Sequence, residues 1–267
     1  MKITLGFSPC PNDTFIFGAL VNGLIDTQGL EFEPVLADVQ ELNSWAAVSK
    51  LDVTKLSFYA YCQLDNAYTL LDSGSALGLG VGPLLISRKG HSFPVNQPLP
   101  PDVKVALPGE QTTAHFLFDY FQKFPVKKSF MIFNQIEEAV LDGRADAGVI
   151  IHENRFTYLE KGLEKIIDLG DFWERSTQRP IPLGGIVARS NFDISLLSLI
   201  NSLIRQSIEF AYQYPERIWP YILSHAQEME DEVIRKHIQL YVNDFTLDLG
   251  KEGHEAILRM KSVINQK

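Results

Sequence analysis

Among the residues whose type and setting suit chemistry, His152 stands out. It directly follows the apolar run Ala147-Gly148-Val149-Ile150-Ile151, the kind of stretch that forms a buried strand of a parallel sheet. A strand ending in histidine carries an imidazole to the mouth of the sheet. An unperturbed pKa of about 6.5 suits that ring to proton abstraction at neutral pH. Glu153 or Asn154 can orient it. The competing reading is a histidine satisfied by a backbone carbonyl.

Other strand ends add polar groups. In Glu110-Gln111-Thr112-Thr113-Ala114, hydroxyls and uncommitted N–H groups at a helix start make a cradle for a carboxylate or phosphate, or an ordinary cap by Thr112. Ser8-Pro9-Cys10-Pro11-Asn12-Asp13 reads as a polar loop before a helix, with free N–H groups for an anion, or as a stiff turn with an N-cap. Ser57, closing Lys55-Leu56-Ser57, either donates into a ligand site or bonds to its own loop. Lys55 brings charge or merely backbone. His91 lies in a linker, and His225, His237 and His254 in a helical tail; these read as solvated or structural. His115 can face the site.

Several chemistries are set aside. Neither His-Glu-x-x-His nor a paired cysteine spacing points to zinc. No Gly-x-Ser-x-Gly elbow and no phosphate loop with Gly-Lys-Ser/Thr occurs. Gly78-Leu79-Gly80-Val81-Gly82 lacks a third glycine at the offset of a dinucleotide fingerprint and a helix after it, and reads as a hinge. Cys10 and Cys62 are the two cysteines and are expected as reduced, partly buried thiols.

The elements that must hold these groups follow from periodicity. Strands are expected at Lys2–Phe7, Glu31–Leu36 and Leu51–Phe58, with helices at Phe15–Ile25 and Val39–Val48. The order recurs with strands at Val103–Leu107, Lys128–Phe133 and Ala147–Ile151 and helices through Tyr120 and at Ile136–Leu141. Alternating strands and helices predict parallel sheets with right-handed crossovers. Two crossings, near Gly78–Pro83 and Pro180–Gly185, then give two α/β lobes: 1–87 plus 185–267, and 88–184. The ligand is expected between them, at the carboxyl ends of the strands. After Asp193 the chain reads as helical, with a break at Pro215.

Composition agrees. The 267 residues are 45% hydrophobic and 21% charged, with a formal net charge of −9, and no basic stripe of the kind nucleic-acid readers carry. No export signal and no apolar stretch long enough to span a bilayer is evident, so a cytoplasmic protein without membrane or nucleic-acid partners is expected.

The string Ser8-Pro9-Cys10-Pro11-Asn12-Asp13-Thr14-Phe15 resembles the N-terminal motif of the 1,4-dihydroxy-6-naphthoate synthases of the futalosine route to menaquinone. Thr54-Lys55-Leu56-Ser57, Gly80-Val81-Gly82-Pro83-Leu84, Thr112-Thr113-Ala114, Ile150-Ile151-His152-Glu153 with Arg155-Phe156-Thr157-Tyr158, and Tyr241-Val242-Asn243 with Phe245 extend the resemblance along nearly the whole chain. It implies a two-lobed periplasmic-binding-protein type II fold. It also implies a reaction, cleavage of cyclic dehypoxanthine futalosine to 1,4-dihydroxy-6-naphthoate with release of dihydroxyacetone. Neither metal nor organic cofactor is implied, and such proteins often form homodimers. By the resemblance His152 is the proton acceptor. Lys55, Leu56, Ser57, Thr113 and Ala114 are substrate contacts, with Asn43 a further candidate. Leu56 and Ala114 would act through backbone or shape, since their side chains carry no polar atom. A chorismate dehydratase of the same route and a non-catalytic solute-binding protein remain alternatives, because the fold alone does not select among them.

Overall fold

The computed structural model describes residues 1–64, 66–91, 93–226 and 230–266. From the N-terminus the elements are β1 (Lys2–Phe7), α1 (Pro11–Val21), β2 (Glu31–Leu36), α2 (Val39–Ala47), β3 (Val53–Ser57), α3 (Phe58–Tyr61), β4 (Tyr68–Leu70) and β5 (Ala76–Gly78). There follow β6 (Leu84–Arg88), β7 (Lys104–Leu107), α4 (Thr113–Phe121), β8 (Lys127–Phe130), α5 (Ile136–Leu141), β9 (Ala147–Ile150), α6 (Asn154–Thr157), β10 (Leu163–Asp168) and α7 (Leu169–Thr177). The chain closes with β11 (Ile181–Arg189), α8 (Ile194–Gln213), α9 (Pro215–His225), α10 (Asp231–Tyr241), α11 (Asp244–Leu247) and α12 (Gly250–Ile264).

Two compact units result: Met1–Gly78 with Pro182–Lys267, and Leu79–Ile181. The first boundary differs from the one expected at Ser87. Leu84–Arg88 ladders with β9 and β10, so the whole strand lies in the second unit. The return falls at Ile181/Pro182 rather than at Gly184/Gly185.

In the first unit the sheet runs β2-β1-β3-β11-β4, with β5 on β11. Helix α1 is buried along almost its whole length because α8, α9 and α10 all pack on it; a helix apolar on every side is one enclosed on every side. It begins at Pro11, four residues before the expected start at Phe15. Pro11 at the first helical position needs no N–H partner and has its φ preset, so a proline that reads as loop in fact opens the helix. Gly18 lets α9 approach: a Cβ there would meet Ile218 at 2.8 Å. Helix α8 is capped by Asp193, which accepts from Leu196 N–H at 2.7 Å, and buries Ile200, Leu203, Ile204, Ser207, Ile208 and Ala211. That spacing is one face of a helix. Ser207 ties this face to α1, donating to Ile16 O at 2.6 Å and accepting from Leu20 N–H at 3.1 Å.

The second unit carries the sheet β10-β6-β9-β7-β8. Its core gathers Leu84, Ile86, Ala106, Ile136, Ala139, Val140 and Ile150. Trp173 is fully buried against the rings of Phe116 and Tyr120.

Both sheets are mixed rather than parallel throughout. β1 runs parallel to β2 and β3, and β7 to β8 and β9, as the repeated strand–helix–strand order requires. β11 opposes β3 and β4, and β6 opposes β9 and β10. These are the strands by which the chain enters each unit. Each arrives from the other unit rather than through a crossover helix from its sheet neighbour, so nothing requires it to run parallel to that neighbour. Among the described residues no helix is long and apolar enough to cross a membrane.

Candidate functional site

In the first unit the buried strand β3 places Lys55 beside the start of α1. The Lys55 ammonium pairs with the Asp13 carboxylate; the side chains are 9% and 0% exposed. Asp13 also accepts from Ser8 N–H at 3.1 Å, Ser8 Oγ at 2.7 Å and Asn12 Nδ2 at 2.8 Å. A charge pair this deep survives because its lone pairs are met. The Ser8–Asp13 segment is thus self-satisfied by its own carboxylate rather than open to an external anion. Among the described residues, Asp13 is the hydrogen-bond partner of the Lys55 ammonium. An ammonium has three donors, more than the Asp13 contact uses.

Two residues on, Ser57 is bracketed by Asn43 of α2. Ser57 N–H donates to Asn43 Oδ1 at 2.8 Å, and Asn43 Nδ2 donates to Ser57 Oγ at 3.1 Å. The hydroxyl keeps its proton for another acceptor. Leu56 points the other way, into a core with Ala46, Ala60, Tyr68 and Val187, so any role it has in binding runs through its backbone. Farther off in sequence, His237 is fully buried and its Nε2 lies 2.9 Å from Asn12 Oδ1.

In the second unit β7 ends at Leu107, and Pro108 to Thr112 lead into α4. Thr112 is the N-cap, accepting from His115 N–H at 3.2 Å and donating to Gly109 O at 2.8 Å. Its hydroxyl is committed to capping. Thr113 and Ala114 open the nine-residue helix, both buried. Their N–H groups belong to the first turn, where the helix dipole favours negative charge. His115 braces this turn. Its Nδ1–H donates to Glu110 O at 2.7 Å, and its Nε2 lies 2.9 Å from Lys128 Nζ and 3.3 Å from Asp119 Oδ2. Burial works to raise the Asp119 pKa, but hydrogen bonds and charge from His115 and Lys128 outweigh it and hold the carboxyl below the usual range.

His152 lies just beyond β9 in a turn, with φ +59°, a left-handed conformation uncommon for a residue with a Cβ. Its ring meets Phe133 edge-on, centroids 4.7 Å apart. The residues after it are anchored. Asn154 donates to Glu137 at 2.6 Å, which also takes Lys161 at 2.7 Å. Arg155 bonds Gly82 O and Asp168. A backbone pinned on its far side holds the strained residue in place. Asp168 in turn caps α7 through Gly170 and Asp171 N–H.

Relatives resolve what such a set of groups belongs to. Over 260 residues the chain is 45% identical to a 1,4-dihydroxy-6-naphthoate synthase of Thermus thermophilus, covering 97% of this chain and 92% of that protein. A protein of the same name from Streptomyces coelicolor is 39% identical over 263 residues, covering 96% and 90%. The family described as menaquinone biosynthesis matches residues 3–266. The chain belongs to the menaquinone biosynthesis family. A crystal structure of a protein from Archaeoglobus fulgidus superposes with TM-score 0.90 at 30% identity, covering 99% of this chain and 98% of that one. The periplasmic aliphatic sulphonate binding protein of Escherichia coli superposes at 0.67 with 10% identity, covering 99% and 87%. That likeness shows a shared fold, the periplasmic-binding-protein type.

For a menaquinone biosynthesis protein, the first unit carries Lys55 and Ser57 on β3 and sets Asn43 of α2 against Ser57. The second places Thr113 and Ala114 at one helix start, and His152 at the end of β9. Sequence reasoning missed the Asp13–Lys55 pair, because no spacing rule connects residues so far apart. It also missed the His115–Asp119–Lys128 cluster. There the separation of His115 and Asp119 by four positions on one helix was a usable signal.

Proposed function

We propose that this chain is the 1,4-dihydroxy-6-naphthoate synthase of menaquinone biosynthesis, a carbon–carbon lyase of the cytoplasm. Its substrate in this reading is cyclic dehypoxanthine futalosine, and its products are 1,4-dihydroxy-6-naphthoate and dihydroxyacetone. The observation that carries the reading is the 45% identity to a protein of that name along 97% of the chain. Geometry supports it: His152, beyond a buried strand end, has a ring supported by Phe133.

In this mechanism the neutral imidazole of His152 takes a proton from the bound spirocyclic substrate. The released electron pair drives cleavage of the carbon–carbon bond to the sugar-derived portion, and the bicyclic ring aromatises. Lys55 and Ser57 hold oxygen atoms of the substrate, the first through its remaining ammonium donors and the second through its hydroxyl proton. The N–H groups of Thr113 and Ala114 hold an anionic or hydroxyl group, as helix N-termini do. Leu56 contributes backbone only.

The test is incubation of the purified protein with cyclic dehypoxanthine futalosine, followed by chromatography with mass detection. Both products are expected in equal amounts. Intact substrate after long incubation would sink the reading, and consumption of chorismate in a parallel tube would replace it with a dehydratase.

A further inference from the structure

The N-terminal motif leaves Asn12 and Asp13 without a role in the reaction, and α10 buries a histidine that helix packing does not require. The two facts connect. Lys55 donates to Asp13 Oδ1, and Asn12 Nδ2 donates to the same oxygen. Asp13 Oδ2 is occupied by Ser8 N–H and Oγ. With its amide nitrogen turned to Asp13, Asn12 must present its carbonyl to the other side. There it meets His237 Nε2 at 2.9 Å. A carbonyl only accepts, so Nε2 carries a proton. Each link sets the direction of the next, from α10 across α1 to β3. His237 and Asp13 are fully buried, and Asn12 and Lys55 nearly so. The chain of bonds therefore runs where water cannot substitute for a missing member.

We propose that His237 is a positioning residue for Lys55, acting through Asn12 and Asp13 to set how firmly the carboxylate holds the ammonium. This rests on the reading of Lys55 as a substrate contact. Without the His237 N–H, the Asn12 carbonyl is a buried acceptor with nothing to accept. Its amide turns in search of a donor, and Asp13 Oδ1 loses the Asn12 N–H. The carboxylate, with one donor fewer, turns more of its charge on the ammonium, and Lys55 has less to offer a substrate oxygen. No proton of the reaction travels along this chain, so the effect falls on binding rather than on turnover.

The experiment compares His237→Met, which keeps volume and removes the donor, with His237→Gln, whose amide restores one. Steady-state rates with cyclic dehypoxanthine futalosine are measured beside melting temperature. In His237→Met, KM rises about 5–30-fold while kcat stays within about threefold, the pattern of lost uniform binding. His237→Gln recovers the wild-type KM. A folded His237→Met with unchanged KM, or a Gln variant as impaired as the Met variant, would overturn the proposal. Asn12→Ala carries the same KM expectation should His237→Met fail to fold. A substrate-free readout is nitrogen-15 NMR of histidine-labelled wild-type protein. A protonated Nε2 at His237 is expected, and an unprotonated one overturns the chain. Wild-type protein without turnover would instead remove the synthase reading, leaving the NMR result to decide the direction of the bonds.

Discussion

At the scale of single residues, the base proposed for the reaction, His152, carries a conformational cost. A left-handed φ at a residue with a Cβ is held only where neighbours over-determine it, and Asn154, Arg155 and Phe133 do so here. His152→Ala removes the imidazole and its contact with Phe133 but leaves the Asn154 and Arg155 anchors in place. It is expected to lower kcat by about 10²–10⁴-fold, the usual contribution of a general base, with KM little changed; rates at saturating substrate decide this. An undiminished kcat would place the base elsewhere. Asp119 offers a pH test. Its folded pKa is depressed by His115 and Lys128, so its contribution to stability is present above the unfolded carboxylate pKa and is lost as pH falls through the folded value. Asp119→Asn should therefore be less stable than wild type at neutral pH, with the gap closing in acid. Urea midpoints at several pH values read this directly, and a gap independent of pH would refute the charge pairing. His152 was legible in the sequence because an apolar run ends at it. The Asp13–Lys55 pair was not, since nothing local announces a partner across the sheet.

At the scale of elements, periodicity located strands and helices well where one face is apolar. The spacing of Ile200, Leu203, Ile204 and Ile208 in α8 is such a case. It failed where a helix is enclosed, as in α1, whose apolar run Phe15–Val21 marks no face and whose proline disguised its start. It also failed for β6, which reads as a crossing segment, because adjacency to Gly78–Pro83 says nothing about which sheet a strand joins. The structure shows what that segment requires. Gly82 and Gly170 pass so closely that a Cβ on either would strike the other's backbone, and Arg155 bonds the Gly82 carbonyl. Gly82→Ala should therefore cost about 1–3 kcal/mol or more, the range for forced overpacking, because backbone rather than a flexible side chain must yield. Gly80→Ala, where nothing described lies within 4 Å of the added Cβ but φ is +70°, should cost about 1–2 kcal/mol from strain alone. Chemical denaturation of the pair separates crowding from strain, and equal losses would show that the close approach is unimportant.

At the scale of the whole molecule, the two units differ in how the chain builds them. The second is one uninterrupted stretch, 79–181, with a five-stranded sheet and a core of its own. A segment of about 100 residues is long enough for an independent hydrophobic core. The first is made from two stretches, and its β11 begins where the second unit ends. There β5, the last strand before the second unit, pairs with β11, the strand that returns from it. This arrangement predicts that residues 79–181, expressed alone, unfold cooperatively in urea with dispersed amide resonances. A protein in which Gly78 is joined to Pro182 through a flexible linker should likewise keep its sheet, because the new connection joins two strands that pair. Neither product should show turnover, since His152, Thr113 and Ala114 lie in one stretch and Lys55 and Ser57 in the other. A collapsed 79–181 fragment without fixed resonances would mean that its core is completed by the rest of the chain. In that case the contiguous stretch is a product of connectivity and not a folding unit.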